Sequence, residues 1–212
     1  MQLALYIIAA LVVLLLVLHF GWRYASRRWA LPCPSLFASA VDGRLADRMS
    51  GTESTLARLS LEPGMTVVEV GPGPGRLLLR AAPRVLPHGR AIGIELQEGM
   101  IKKLRAKLAH DDPGNVSVIH ASATEKVLPE GQADVVYLCT VLGEIPDRRT
   151  ALVNCLAALR PGGRLSITEI IGDPHYQRVK TVRELAASVG FEFEDISSTW
   201  RMYTANFRKP GA

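Results

Sequence analysis

Met1 to Trp22, MQLALYIIAALVVLLLVLHFGW, contains no Asp, Glu, Lys or Arg, whereas all 25 Lys and Arg and all 20 Asp and Glu of the 212-residue chain lie from Arg23 onward. In an α-helix such a run rises about 33 Å at about 1.5 Å per residue, which matches a hydrocarbon core of roughly 30 Å. The favoured reading is a single transmembrane helix over residues 1–22. A cleaved secretory signal is the first alternative, but no Lys or Arg precedes the apolar run, the run exceeds a typical h-region, and Arg-rich sequence follows it. A half-inserted interfacial helix is the second; it needs a polar face, and residues 1–18 offer only Gln2 and Tyr6. Arg23, Arg27 and Arg28, beside Trp22, Tyr24 and Trp29, collect basic and amphipathic aromatic side chains at one membrane face. By the positive-inside bias, the remainder of this single-pass membrane protein is expected to face the cytoplasm.

That remainder is an ordinary polar domain. The chain is 48% hydrophobic and 21% charged, which excludes disorder and a collagen-like repeat. A net charge of +5 suits an anionic lipid surface. No nucleic-acid partner is expected, because Lys and Arg are interspersed with Asp and Glu after residue 40 without a basic run or stacking motif. Cys33, Cys139 and Cys155 are widely spaced and unpaired by any C-x-x-C, so neither a metal site nor a disulfide framework is indicated, consistent with a reducing compartment. Cys33, between Pro32 and Pro34, reads as a plain thiol, with acylation as the alternative.

Residues 23–60 read as a basic juxtamembrane connector and N-terminal helices. Two prolines in 30–40 turn the chain away from the membrane, and Val41, Leu45, Met49, Leu56 and Leu59 recur near helical spacing. From residue 61 to 212 a single α/β domain follows. Its candidate strands are Thr66–Val70, Ala91–Glu95, Val116–Ile119, Ala133–Leu138 and Arg164–Ile170. Helical stripes intervene at Met100, Ile101, Leu104 and Leu108, and at Leu152, Cys155, Leu156 and Leu159. Thr181-x-x-Glu184 reads as a capping box for a helix burying Val182, Leu185, Ala186 and Val189 and stopped by Gly190. Phe191–Ile196 and Met202–Phe207 then form an antiparallel hairpin. The expectation is a Rossmann-like, doubly wound, seven-stranded, mostly parallel sheet.

The most informative segment is Val67-Val-Glu-Val-Gly-Pro-Gly-Pro-Gly-Arg76, in which a strand enters a loop carrying Gly71, Gly73 and Gly75 and then a helix beginning at Leu77. A ligand is expected at that strand's C-terminal end, where glycines admit a close approach. A dinucleotide turn, G-x-G-x-x-G, would need glycine where Arg76 stands, and Pro72 and Pro74 remove two N–H groups that would cradle pyrophosphate. This weighs against a nicotinamide or nucleotide-sugar oxidoreductase, and the Walker ending is absent. Glu95 closes the second strand, where a carboxylate can accept bonds from two vicinal ribose hydroxyls; a solvated strand-end acid is the alternative.

The ordered motifs VVEVGPGPGRL, GIELQEGM, ADVVYLCTVLGEIPD and LRPGGRLSITEI resemble the class I S-adenosylmethionine-dependent methyltransferases, methyltransferase type 11, and especially the branch of ubiquinone and menaquinone methyltransferases. The resemblance covers about residues 60–208 and is specific for fold and cofactor, not for substrate. It implies that Glu69, Gly71 and Gly73 shape the pocket for the methionine moiety of S-adenosyl-L-methionine, with Gly75 completing the loop, and that Glu95 holds the ribose. Gln97 and Met100 would border the adenine. The family's usual Gly-Asp-Ala reads Ala121-Ser122-Ala123, which leaves Ser122 and Ala123 on the adenine side without a carboxylate. Thr140, Val141 and Leu142 would line the pocket near the reactive methyl. Gly143 stands where related enzymes often carry His, and is expected to leave space in the acceptor site.

Methyl transfer of this kind needs alignment of donor and acceptor and, for some acceptors, a general base. The bases implied are Glu144, Glu169 and His175, each with a structural alternative: a helix brace, a buried carboxylate and a residue of an exposed loop. Tyr176 is expected on the acceptor wall or against the sulfonium. The anchor favours a lipid or other membrane-associated acceptor such as a quinone precursor, phenol or thiol. A methyltransferase of a soluble metabolite and a tethered, non-catalytic cofactor-binding protein are the alternatives.

Overall fold

The computed structural model describes residues 2–29 and 51–211. The connector prolines, Cys33 and the apolar positions Val41, Leu45 and Met49 lie outside them. Helix α1 spans Gln2–Trp29, so it continues past Trp22 and carries Arg23, Arg27 and Arg28 on the helix instead of on a connector. Its stretch Ala4–Ser26, with a mean hydropathy of 2.6, is long and apolar enough to cross a membrane. Helix α2 is Thr52–Arg58, and its Leu56 and the following Leu59 are fully buried.

The domain then alternates β1 Thr66–Val70, α3 Leu78–Ala81, β2 Arg90–Glu95, α4 Glu98–His110, β3 Val116–His120, β4 Ala133–Cys139, α5 Arg148–Ala158, β5 Leu159–Ile170, α6 Val179–Ser188, β6 Glu192–Ser198 and β7 Met202–Arg208. One seven-stranded sheet results, ordered β3-β2-β1-β4-β5-β7-β6. The first five strands are parallel, while β7 runs antiparallel to both β5 and β6. The expected mixed sheet and terminal hairpin are thus present.

Alternation along the strands feeds two cores. Val68, Val70, Val136, Leu138, Leu165 and Ile167 point to the face covered by α5 and α6 through Leu152, Cys155, Val182 and Ala186. Val67, Val135, Tyr137 and Cys139 point to the opposite face, under Leu56 of α2, Leu78 of α3 and Leu104 of α4. Where helices cover both faces, as over β1, β2 and β4, the strands are buried nearly throughout and read as near-continuous apolar runs, whereas the edge strands β3 and β6 stay partly exposed.

Three local expectations are corrected. Thr181 and Glu184 do not form a capping box: α6 begins at Val179 after an extended Arg178, with no side-chain cap. Val179 packs against the core and so prolongs the buried stripe one turn earlier, while Glu184 lies beside Lys180 at 3.7 Å. Strand β5 starts at Leu159, not Arg164, pairing Leu159 with Ala133 before the register shifts to Arg164 opposite Val135. The Arg160-Pro-Gly-Gly163 segment is therefore an irregularity within a strand, with Gly162 at φ +74°. The helix after the glycine loop is short, giving way to a 3-10 turn Ala82–Val85 in which Pro83 has no N–H to continue an α-helix.

Helix α5 is held at its start by Asp147, whose carboxylate accepts from the Thr150 amide at 3.0 Å and its hydroxyl at 2.7 Å. Asp147→Ala should lower stability by leaving that amide and hydroxyl without their acceptor. Urea unfolding should show a lowered midpoint at unchanged slope, with cofactor affinity unaltered, since Asp147 does not line the cavity described next.

Candidate active site

The C-terminal ends of β1, β2 and β4 surround a cavity of about 1160 Å³, its open mouth included. In an open α/β sheet this is where ligands bind, at the crevice created when successive crossovers leave β1 in opposite directions. Of the residues singled out from sequence, Glu69, Gly71, Gly73, Glu95, Gln97, Met100, Ser122, Ala123, Thr140, Val141 and Glu144 line it. Gly75, Leu142, Glu169 and His175 stand outside the lining.

Glu95 organises the cavity. Its Oε2 accepts from the Gly73 amide at 2.9 Å and its Oε1 from the Gln97 amide at 2.8 Å, so one carboxylate ties the β1 loop to the β2 loop. The glycines have distinct reasons. Gly71, at φ +72°, would put a Cβ 2.7 Å from Val141, so a side chain would fill the cavity wall. Gly73, at φ +55°, faces open space. Gly75 is a packing position: at φ +87° its Cβ would lie 2.4 Å from the Leu104 side chain, between loop and α4. Lys107 of α4 also donates to Pro74 O at 2.8 Å, fastening the loop from the same helix.

Glu69 is buried, and desolvation raises its pKa to about 8, opposed by the hydrogen bond from Tyr137 and the charge of Arg76. The Tyr137 hydroxyl donates to Glu69 Oε2 at 2.7 Å. Arg76, in turn, donates to Thr52 Oγ1 of α2. Arg76, Tyr137 and Cys139 are the participants that the sequence reading passed over. Arg76 and Cys139 both line the cavity, and burial pushes the Cys139 thiol up to about 12, leaving it protonated and inert. The available signal was Arg76 directly after the glycine loop; pairing Tyr137 with Glu69, 68 residues apart, requires the β1–β4 register.

On the third-strand side, the Ser122 hydroxyl is shared with Thr124 at 2.8 Å, and the Ser122 amide donates to Glu125 at 2.7 Å. The side chain is thus engaged in a local turn at the cavity wall. On the acceptor side, Thr140 adopts φ +56° and its amide donates to Thr168 O at 2.8 Å. A 3-10 turn, Leu142–Glu144, follows; Leu142 is buried in the core and Glu144 reaches the cavity.

The structure corrects the space expected at Gly143: a Cβ there would lie 2.0 Å from His175 O, so the missing side chain is replaced by backbone from the β5–α6 segment. His175 is buried and not part of an exposed loop. Glu169, at the end of β5, is buried beside it; Oε2 accepts from the Gln177 amide at 3.1 Å and Oε1 has no hydrogen-bond partner. Desolvation, opposed by that bond, raises its pKa to about 8, with Asp173 raising it further and Arg148 lowering it. Tyr176 packs edge-on against Tyr203 with centroids 6.1 Å apart and belongs to the core margin, not to the cavity wall.

Residues 67–163 match the family model described as a methyltransferase domain. The chain is 31% identical over 134 residues to the arsenite methyltransferase of Halobacterium salinarum, covering 63% of this chain and 34% of that one. It is 29% identical over 114 residues to the demethylmenaquinone methyltransferase of Listeria monocytogenes, covering 54% and 48%. The chain thus spans between a third and a half of the length of these curated relatives. A solved S-adenosylmethionine-dependent methyltransferase from Aquifex aeolicus superposes with a TM-score of 0.78 at 18% identity, covering 84% of this chain and all of that one, and shares its fold. The matched region is of the methyltransferase class of enzyme domains, and S-adenosylmethionine is the cofactor named for the Aquifex aeolicus structure. The cavity fits that cofactor: Glu95 presents a fixed carboxylate, and Gly71 and Gly73 leave open the space a side chain would fill.

Glu95→Ala removes a buried acceptor and strands two amides, so S-adenosylmethionine and S-adenosylhomocysteine should bind about 10- to 100-fold more weakly by calorimetry. Gly71→Arg should likewise abolish binding, whereas Gly75→Ala should lower stability and leave the affinity of the folded protein nearly unchanged. Equal loss of affinity in the Gly75 variant would overturn the packing assignment. A second expectation concerns pH. Glu69 and Glu169 hold protons more tightly folded than unfolded, so their contribution is complete below the ordinary value of 4.5 and is lost as pH rises through about 8. Melting temperature should fall over that window, and Glu69→Gln or Glu169→Gln should each flatten the fall.

Proposed function

We propose that this chain transfers a methyl group from S-adenosylmethionine to a lipophilic, membrane-associated acceptor, such as a lipid headgroup, quinone precursor, phenol or thiol, with its domain tethered to the cytoplasmic face by α1. One observation carries the reading: the cavity organised by Glu95 opens at the edge of the sheet that α1 contacts, through the turn Leu142–Glu144. The naming of a relative for demethylmenaquinone supports a quinone precursor among the acceptors.

When bound, the cofactor supplies a methyl group on a cationic sulfur open to in-line displacement. Glu95, through the Gly73 and Gln97 amides, holds the two loops that would embrace it. Leu77, Ile94, Met100 and Val141 supply apolar walls that exclude water. Alignment of this kind can contribute about 7–11 kcal/mol in favourable cases. Glu144 is the carboxylate of the three implied bases that reaches the cavity, and is assigned the acceptor's proton. Glu169 and His175 lie behind the turn and serve as positioning groups, with His175 backbone packed on Gly143.

Full-length protein in sealed vesicles, given methyl-labelled cofactor with separated lipid and aqueous metabolite pools, should label the lipid pool. Label confined to a water-soluble product would overturn the lipophilic acceptor. Absence of turnover, with cofactor affinity intact, would favour a binding protein. Glu144→Gln should lower kcat by about 100-fold or more while leaving cofactor affinity unchanged; an unaltered kcat would remove Glu144 from the reaction.

A further inference from the structure

The most exposed large apolar side chains of the domain are Trp200 at 83%, Leu96 at 57% and Ile171 at 57%. All three lie at one edge. Leu96 directly follows β2, Ile171 directly follows β5, and Trp200 sits in the turn joining β6 to β7. Because β7 is antiparallel to β5, with Met202 opposite Ile170, that turn stands at the C-terminal end of β5. The Ile171 amide donates to Arg201 O at 2.7 Å, fastening the two loops together. Leu96 itself borders the cavity mouth. Singly exposed apolar residues need no explanation, but three collected on the cavity-bearing edge do.

Helix α1 says what covers them. It contacts the turn Leu142–Glu144 on this same edge, and Ser26 near its end is fully buried, while the apolar stretch before it is exposed. From Trp22, the end of the uncharged run, to Ser26 the helix advances only about 6 Å. The polar layer on each side of a bilayer is itself roughly 5–7 Å deep. An apolar run seated in the hydrocarbon core therefore brings this edge into the headgroups. The charge there is suited to lipid phosphate: the Arg201 guanidinium lies 5.2 Å from the Trp200 ring centroid, pairing a phosphate-binding cation with an indole of the kind enriched at membrane interfaces.

Resting on the tether proposed above, we infer that the C-terminal edge of the sheet is a second membrane contact. Trp200, Ile171 and Leu96 enter the headgroup layer of a phospholipid bilayer, Arg201 meets lipid phosphate, and the cavity mouth opens toward lipid. A lone helix would leave the domain free to rotate about it; this edge fixes the orientation and shortens the path of a lipid acceptor into the cavity.

The chain's tryptophans are Trp22, Trp29 and Trp200, so two full-length variants separate the contacts. In Trp22→Phe/Trp29→Phe protein, reconstituted into phosphatidylcholine and phosphatidylglycerol vesicles, Trp200 emission should move to shorter wavelength and lose intensity to lipids brominated near the headgroup. Arg201→Glu in that background should weaken both changes. In Trp29→Phe/Trp200→Phe protein, Trp22 reports the tether alone. Quenching of Trp22 while Trp200 keeps the emission of a water-exposed indole would overturn the membrane-contacting edge and leave the tether standing. Quenching of neither would remove the tether and the edge contact together.

Discussion

One buried carboxylate sets the geometry on which the cavity depends. Glu95 is taken out of water at the end of β2, a position that is costly for a charge unless hydrogen bonds replace its hydration. The Gly73 and Gln97 amides do so, and in doing so they fix the two loops that follow β1 and β2 relative to each other. The prolines flanking Gly73 carry no N–H, so Gly73 is the loop position between Pro72 and Pro74 that is able to make the link. The same prolines that weaken the loop as a pyrophosphate cradle therefore concentrate its donor capacity on the acid of the neighbouring strand.

Two further carboxylates occupy opposite faces of the sheet, and their environments differ in kind. Glu69 lies with Tyr137 on the face under α2, α3 and α4, where its proton inventory is shared with a phenol and offset by Arg76. Glu169 follows Leu165 and Ile167 on the other face, where one oxygen is bonded to backbone and the other to nothing. Keeping a carboxyl neutral is the inexpensive response to burial of this sort. Burial thus favours the neutral form of Glu69, which contributes a polar wall to the cavity, and of Glu169, which stiffens the β5–α6 segment from behind.

The sheet was legible because burial on both faces forces near-continuous β-rich runs, and because the glycine loop and Glu95 mark the ends of consecutive strands. Leu142 and Gly75 show where reading by motif stops. Both sit within the expected motifs, yet one belongs to the core and the other to the contact between the loop and α4, which depends on Leu104 from a different element. Gly143 reads locally as empty space; what fills it is backbone from residue 175, brought there by the return from β5. Likewise, Thr181 and Glu184 satisfy a capping pattern, but the helix starts two residues earlier, at Val179, which packs partly buried against the core. In each case a long-range packing contact overrode a short-range signal.

The turn Leu142–Glu144 joins these themes. On one side it lies against α1; on another, Gly143 packs against His175 backbone with no room for a Cβ; and Glu144 reaches from it to the cavity. Arg148 adds a hydrogen bond to Gly143 O at 3.2 Å, tying the start of α5 to the same point. Close-packed contacts transmit displacement because they have no slack. The end of the apolar helix, the β5–α6 segment and the wall carrying Glu144 are consequently joined at one point, so a displacement of any of them is passed to the cavity wall.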